Sequence, residues 1–422
     1  MDWSQHPVLF APLHYATGAE IGGSELLWAY NIAREASRYM TDADAIVGYM
    51  RNGSFGAGMH VHEVLAENNT NYFSDEALIA RLKFVAAYTR KARQLASKKR
   101  YSILHHVLPW GRTTFNPLIM ARGLSGAGLA SARVVMGPLQ DQHEVKFDAD
   151  DRSYNRFAAN RNGTPAIGAT LQRVVTQGGE RVAARLCAAT LQRADALVAV
   201  SESARRSIAA LGIDRPIHVI PAGVRCEDFP AVERAAHGGP LKLALATYFL
   251  KRKAIDLMVR AIASAVRRGA DVELHLAGEG PQQSAIETLV AELGIQRCVI
   301  FRGPMRLGEI AALYANCDAF VSMSWAETFP AGILEAMSTG LPAISAANVG
   351  AREIIEDGKT GTLIPLGDFE ALAEAICAYH ANPAWRIQLG ANAAQAVRNT
   401  YDWGAVGSRY RELYESLLED RR

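Results

Sequence analysis

Cysteine is scarce and unpatterned in this sequence. The five cysteines, at positions 187, 226, 298, 317 and 377, are odd in number and form no C-x-x-C pair. Neither a disulfide framework nor a cysteine-based zinc site is therefore expected, and a reducing compartment is. No apolar run reaches the 18 or so residues that a membrane-spanning helix needs. Met1-Asp-Trp-Ser-Gln-His-Pro7 lacks the basic-then-apolar pattern of a leader, so the expected location is cytoplasmic. A dominant charge is also lacking. The 45 Lys and Arg against 43 Asp and Glu leave a formal charge of +2, too near neutral to imply a nucleic-acid partner. No tight G-x-G-x-x-G joins a strand to a helix, which disfavours a dinucleotide oxidoreductase. Asp42-Ala-Asp44 and Asp148-Ala-Asp150 read as ordinary polar loops, and His60-x-His62 has metal-like spacing without a supporting cysteine or carboxylate cluster. No metal and no cofactor are expected. There is no internal repeat and no low-complexity tract.

Enough apolar material is present for two cores. With 49% apolar residues, a chain of 422 residues divides into two domains of roughly 200 each. Short β-rich runs alternate with helical ones at Val8 to Phe10, Ala45 to Val47, Ser102 to Leu104, Val134 to Met136, Leu197 to Val200 and His218 to Ile220. A second set follows at Lys242 to Ala246, Val272 to Ala277, Val299 to Phe301, Ala319 to Ser322 and Ala343 to Ser345. This is the βαβ rhythm of parallel sheets. The polar, glycine-containing stretch Glu233 to Pro240 reads as a linker, which puts one domain at 1–232, a second at 233–400 and a last helix at 401–422. In open parallel sheets, ligands bind beyond the carboxyl ends of the strands.

At one such end stands Glu327-Thr-Phe-Pro-Ala-Gly-Ile-Leu-Glu335, with Glu327 on a loop and Glu335 on a helix over 330–338. Carboxylates accept hydroxyl hydrogen bonds in pairs, and the free N–H groups of a helix N-terminus attract anions. The spacing suits a sugar nucleotide; an alternative is a surface helix that happens to carry two glutamates. Gly22-Gly23, before a helical run, permits close approach of backbone N–H groups to a diphosphate, or is simply a turn. Lys251-Arg-Lys253 reads on its own as a solvated turn. His105-His106 closes a strand and Gly137-Pro138 lies in the next; each histidine is a site residue or a structural hydrogen-bonder. Six cations between 90 and 100 (Arg90, Lys91, Arg93, Lys98, Lys99 and Arg100) end a long helical pattern without an acid among them. They form a solvated helix end or a dock for anionic membrane lipid.

Several ordered motifs resemble family 4 of the retaining glycosyltransferases. They are Arg193-Ala-Asp195 through Ser201, Val219-Ile-Pro-Ala-Gly223 with Phe229, Leu276-Ala-Gly-Glu-Gly-Pro281, Val299-Ile-Phe-Arg-Gly303, Glu327 to Pro342, and Ala351 to Gly361. Each is weak alone; six in fixed order over residues 195 to 375 are specific. The resemblance implies a GT-B fold: two facing doubly wound Rossmann-like domains, an acceptor side at the N-terminus, a donor domain after it, and a final helix crossing back to the first. Histidines 105 and 106 with Gly137-Pro138 resemble a subgroup with H-H and G-P motifs.

By that resemblance the reaction is transfer of a sugar from a nucleoside diphosphate sugar to a hydroxyl of a saccharide or lipid-linked saccharide, with retention. The leaving diphosphate takes the acceptor's proton, and no metal is required. Glu327, Lys253, Arg252 and His106 are implied as catalytic. Gly22, Gly23, Tyr248, Gly303, Met305, Phe329, Pro330, Ala331, Gly332, Ile333 and Glu335 are implied for the donor, and His105, Trp110, Gly137 and Gln140 for the acceptor. The chain departs from the family in four places, one being that the histidine other members place near the donor sugar, at the 137 to 138 position, has no match here. Tyr248 stands where an arginine is expected, Ala254 replaces the glycine after Lys253, and Gln140-Asp141 replaces a glycine pair. These leave open an epimerase of the same fold or an inactive nucleotide-sugar-binding scaffold.

Overall fold

The computed structural model describes residues 1–17, 24–50, 52–65, 77–107, 116–120, 127–140 and 185–419. Residues Gly223–Ala405 form one compact unit; the described residues before them, with the chain from Val406 onward, form the other.

The first unit is built on a seven-stranded sheet. Its strands are β1 (Val8–Thr17), β2 (Ala43–Met50), β3 (Met59–Glu63), β4 (Ile103–His106), β5 (Arg133–Leu139), β6 (Ala196–Ala199) and β7 (Ile217–Val219), in the order β3-β2-β1-β4-β5-β6-β7. Every pairing is parallel. Val8, Leu9, Phe10, Ile103, Leu104, Val134 and Val135 are fully buried, as the near-continuous apolar runs of a sheet covered on both faces require. The strand order reverses between β1 and β4, which makes their carboxyl ends the switch point.

The second unit carries β8 (Leu241–Ala246), β9 (Val272–Ala277), β10 (Val299–Gly303), β11 (Ala319–Ser322), β12 (Ala343–Ala346) and β13 (Gly361–Ile364), all parallel, in the order β10-β9-β8-β11-β12-β13. Here the order reverses between β8 and β11. The helix Ile255–Arg267 buries Met258, Val259 and Ile262 on one side, the three-to-four spacing that a helix lying on a sheet shows.

Two features fix how the units are finished. The helix Trp403–Glu419 starts in the second unit and ends in the first, where Tyr410, Leu413, Tyr414 and Leu417 are buried. The segment 233–240, read from sequence as a linker, is held firmly by the second unit. Arg234 donates to the backbone carbonyls of Tyr314 (2.9 Å), Thr339 (3.2 Å), Gly340 (3.0 Å) and Cys317. It thereby satisfies orphan carbonyls after two helices, Leu307–Ala315 and Ala331–Ser338, with one guanidinium. His237 adds a bond to Asp318 at 3.0 Å.

Candidate active site

The switch point of the second unit gathers the charged residues. After β8 the chain makes a tight turn, Lys251–Lys253, and leaves it through Ala254 at φ 47°, ψ 46°. That left-handed conformation explains why glycine suits the position and why alanine there carries a strain of about 1 kcal/mol. After β11 the chain runs through Ser324 to Pro330 and enters the helix Ala331–Ser338. The two loops are joined by the Trp325 amide, which donates to the Arg252 carbonyl at 2.9 Å.

Their side chains meet at one carboxylate. Arg252 Nη1 lies 3.1 Å from Glu327 Oε1, and Lys253 Nζ donates to the same oxygen. Arg252 also donates to the Ala326 carbonyl at 3.2 Å. The three side chains retain only 16–18% of their accessible surface. Burial pushes the Glu327 carboxyl up, but Lys253 and then Arg252 outweigh it and hold the group below its ordinary value. Glu327 is thus an ionised acceptor, and the pair beside it is a concentrated positive charge.

Glu335 differs. It projects from the second turn of the helix, and burial, reinforced by Asp228, pushes its carboxyl up to about 7. Beneath it the Tyr314 hydroxyl is fully buried and held far above its ordinary value, by burial first and then by Glu335. The expected helix over 330–338 begins one residue later: Pro330, at φ −77° and ψ 93°, is its N-cap, and its carbonyl accepts from the Ile333 N–H at 3.1 Å, which leaves the N–H groups of residues 331 and 332 ahead of the helical ladder. Ile333, Leu334 and Met337 face inward with at most 1% exposure, so Glu335 is turned away from the core.

The neighbouring strand ends complete the unit's rim. Tyr248 lies half-buried just beyond β8. Gly278 and Gly280 pack so closely that a Cβ would fall 1.9 Å from the Thr247 carbonyl oxygen and 2.6 Å from the Phe249 backbone nitrogen. The Gly303 carbonyl accepts from Gly278 N–H at 2.7 Å, and Gly303 itself has φ 67°. Met305 follows it, partly exposed. Phe329 is buried and packs near Tyr401, with centroids 6.1 Å apart.

The first-unit candidates divide. Gly22, Gly23 and Trp110 lie outside the described residues. His105 has no exposed surface. Its Nε2 lies 3.1 Å from the Gly137 carbonyl oxygen and its Nδ1 2.7 Å from the Tyr414 hydroxyl. A carbonyl can only accept, so Nε2 carries the proton and Tyr414 donates to Nδ1. Burial lowers this histidine to about 3. Both nitrogens and Gly137 therefore serve the docking of the last helix, the structural alternative of the two read from sequence. His106, also buried, has its Nδ1 2.7 Å from Asn116 Nδ2, and that amide reaches the Ala11 carbonyl as well. Gln140 stands partly exposed just past β5. His62 bonds Asp44 at 2.6 Å, which accounts for the H-x-H spacing.

Three contributors carried little sequence signal. Asn348 caps the helix Val349–Ile354 and donates to the Ser324 carbonyl at 2.9 Å. Gly350 donates its amide to the Glu327 carbonyl at 2.8 Å. Asp228 tunes Glu335 and sits beside Phe229, which the motifs did mark.

Comparison with known proteins places this geometry. Residues 241–382 match the family described as Glycosyl transferases group 1, and residues 164–228 match Glycosyltransferase Family 4. A phosphatidyl-myo-inositol mannosyltransferase of Mycobacterium leprae is 30% identical over 226 residues, 52% of this chain and 59% of the relative. A GDP-mannose-dependent alpha-(1-6)-phosphatidylinositol monomannoside mannosyltransferase of Mycolicibacterium smegmatis is 27% identical over 247 residues, 54% of this chain and 64% of that protein. The chain thus spans about three fifths of the length of these two curated relatives. Among solved structures, a sucrose-phosphate synthase of Thermosynechococcus elongatus superposes with a TM-score of 0.67 at 20% identity, covering 98% of this chain and all of the other. The Anabaena protein HepE, crystallised with UDP and glucose, gives 0.63 at 17%, covering 97% and 100%. With the two parallel sheets, these likenesses give the chain the GT-B fold.

Proposed function

We propose that this protein is a glycosyltransferase that moves a sugar from a nucleoside diphosphate sugar to a hydroxyl of a saccharide or lipid-linked saccharide, with retention at the anomeric carbon. The observation that carries this reading is the convergence of Arg252 and Lys253 on Glu327 at the β8/β11 switch point, within the stretch that matches the group 1 glycosyl transferases. The two phosphatidylinositol mannosyltransferases among its relatives agree with a donor of this class and a lipid-borne acceptor.

In this reading the donor's diphosphate takes Arg252 and Lys253, while Glu327 turns its oxygens to the transferred sugar's hydroxyls. Glu335 accepts from the ribose diol, and the N–H groups of residues 331 and 332 face the anion. Tyr248, Gly303 and Met305 border the nucleotide. The bond from the anomeric carbon to the diphosphate breaks as the acceptor oxygen bonds to the same face, and the acceptor's proton passes to the leaving diphosphate. Fixed cations beside that developing charge contribute on the order of 3 kcal/mol. Side-chain cations and a helix terminus supply the positive charge, which makes the mechanism metal-independent.

Peripheral contact with an anionic membrane belongs to the same proposal. Arg90, Arg93, Lys98 and Arg100 are exposed, whereas Lys99 is committed to Asp42 and, at 2.8 Å, to Asp44. Failure to bind anionic vesicles at low salt would remove this element alone.

The main test is a thermal-shift panel of UDP, GDP, ADP and their sugars, since a ligand that binds only the native state raises its melting temperature. One nucleotide series should stabilise the protein, and NMR of the product should show the donor's anomeric configuration. A flat panel would overturn the reading.

A further inference from the structure

Trp325 is a large aromatic residue left 39% exposed two positions before Glu327. The peptide that leads into it is fixed at both of its polar groups. The amide donates to Arg252, and the preceding Ser324 carbonyl accepts from Asn348 at 2.9 Å. The outer atoms of the ring lie against a turn: a Cβ on Gly367 would fall 2.5 Å from Trp325 Cη2 and 3.0 Å from Cζ3. Gly367 holds φ 76°, the left-handed region where glycine is unstrained. That turn is itself rigid, because the Asp368 side chain caps the next helix through the Ala371 amide at 2.9 Å. The indole is therefore ordered by its backbone and by a glycine-floored turn rather than by burial. An aromatic face that is rigid yet exposed loses little entropy on binding a ligand.

Sheet order says which part of the substrate it meets. The groups read as holding the diphosphate and bordering the nucleotide, Arg252, Lys253, Tyr248, Gly303 and Met305, follow β8 and β10 on one side of β11, while Glu327 and Glu335 follow β11 itself. Trp325 follows β11 and reaches Gly367, beyond β13, on the other side. What lies past the transferred sugar from its nucleotide is the acceptor. Leu366, 49% exposed, continues the apolar rim.

We infer that the Trp325 indole is the stacking platform for a pyranose ring of the acceptor, which makes that acceptor a saccharide or glycoside rather than an acyclic alcohol. This deepens the proposed glycosyl transfer and rests on it. A pyranose presents a face of C–H bonds to an aromatic ring while its hydroxyls stay at the edge, free for polar partners and for the reaction.

The test labels the full chain with 5-fluorotryptophan and identifies the Trp325 signal by its loss in Trp325→Phe. Methyl α-D-manno-, gluco- and galactopyranoside are added with the nucleotide that stabilises the protein, and glycerol serves as the acyclic control. At least one glycoside should move the Trp325 signal and glycerol should not. Binding measured by saturation transfer should weaken about tenfold in Trp325→Leu and stay within about threefold in Trp325→Phe, with nucleotide affinity kept in both. Nucleotide binding with a Trp325 signal indifferent to every glycoside would overturn the platform and leave the donor site standing. A signal that follows protein concentration alone would make this a self-association contact and likewise overturn it. Absence of nucleotide binding would instead remove the function on which it rests.

Discussion

Arg252 Nη1 and Glu327 Oε1 are 3.1 Å apart, and Lys253 shares the same oxygen. The groups proposed to bind opposite parts of the donor thus neutralise one another before it arrives. An incoming diphosphate has to compete with Glu327 for both cations, so part of its attraction is offset by the ion pairs it breaks. Replacing Glu327 by glutamine should therefore tighten binding of the free nucleoside diphosphate about tenfold. Turnover should fall at least about a hundredfold, because the acceptor for the sugar hydroxyls is weakened where charge develops. Calorimetry and donor turnover on the same preparation separate the two effects; weaker diphosphate binding would contradict the competition.

Glu335 gives a pH dependence of definite sign. With its carboxyl raised to about 7 by burial and Asp228, the empty site is protonated below neutrality. Ribose hydroxyls bind best to the ionised form, so nucleotide affinity should rise with pH up to about 7 and level off above it. The same shift acts on stability. The folded state holds a proton that the unfolded chain releases from its ordinary value near 4.5, so stability falls between about 4.5 and 7, by at most about 1.4 kcal/mol per pH unit. Glu335→Gln should flatten both curves and be more stable than the parent at pH 8, read by calorimetry and denaturant titration.

His105 sets an acid limit for the first unit. It is buried and neutral between Tyr414 and the Gly137 carbonyl, lowered to about 3. Unfolding lets it bind a proton at its ordinary value of 6.5. The stability it contributes is complete above 6.5 and is lost as pH falls from there towards 3. Tyr414→Phe removes the donor to Nδ1 and should cost about 1–3 kcal/mol. His105→Gln should reduce the acid-side slope below pH 6.5. An unchanged slope in urea titrations of that variant would assign the acid sensitivity elsewhere.

The fold, and the charged residues that gather beyond β8 and β11, were legible because their signals are local. Eleven expected strands all lie in the two sheets, whereas β3 and β13 were missed. Met59–Glu63 is an edge strand that alternates apolar and polar residues only over Met59 to His62, and Gly361–Ile364 is four residues opened by glycine, so both signals are too short to mark a strand by themselves. Glu327, Lys253 and Arg252 could be named from motif spacing. That the three share one oxygen could not, since it depends on how two loops separated by more than 70 residues meet. For His105 the sequence left two readings open because its partners, Tyr414 and Gly137, lie 309 and 32 positions away. Gly350 was invisible for the same reason: a glycine in a short helix means nothing until something is seen to press against it.

What presses against Gly350 is the site itself. A Cβ there would lie 2.6 Å from the Glu327 carbonyl oxygen, 2.6 Å from Pro330 Cδ and 3.0 Å from the Thr328 carbonyl carbon. All three are backbone or ring atoms of the loop that presents Glu327 and starts the helix bearing Glu335, so no flexible side chain can yield. The Gly350 amide also donates to that carbonyl at 2.8 Å, which couples the helix Val349–Ile354 to the loop. Gly350→Ala should push the loop outward, at a cost of about 1–3 kcal/mol for the overpacking. Because Glu327 moves with the loop while the Glu335 side chain stays on its own helix, turnover should drop about tenfold or more with nucleotide affinity changed by less than about threefold. Turnover and calorimetric titration of Gly350→Ala, compared with Gly308→Ala in the open space of a neighbouring helix, would test this. Equal effects at both positions would show that the close approach at Gly350 has no part in holding Glu327.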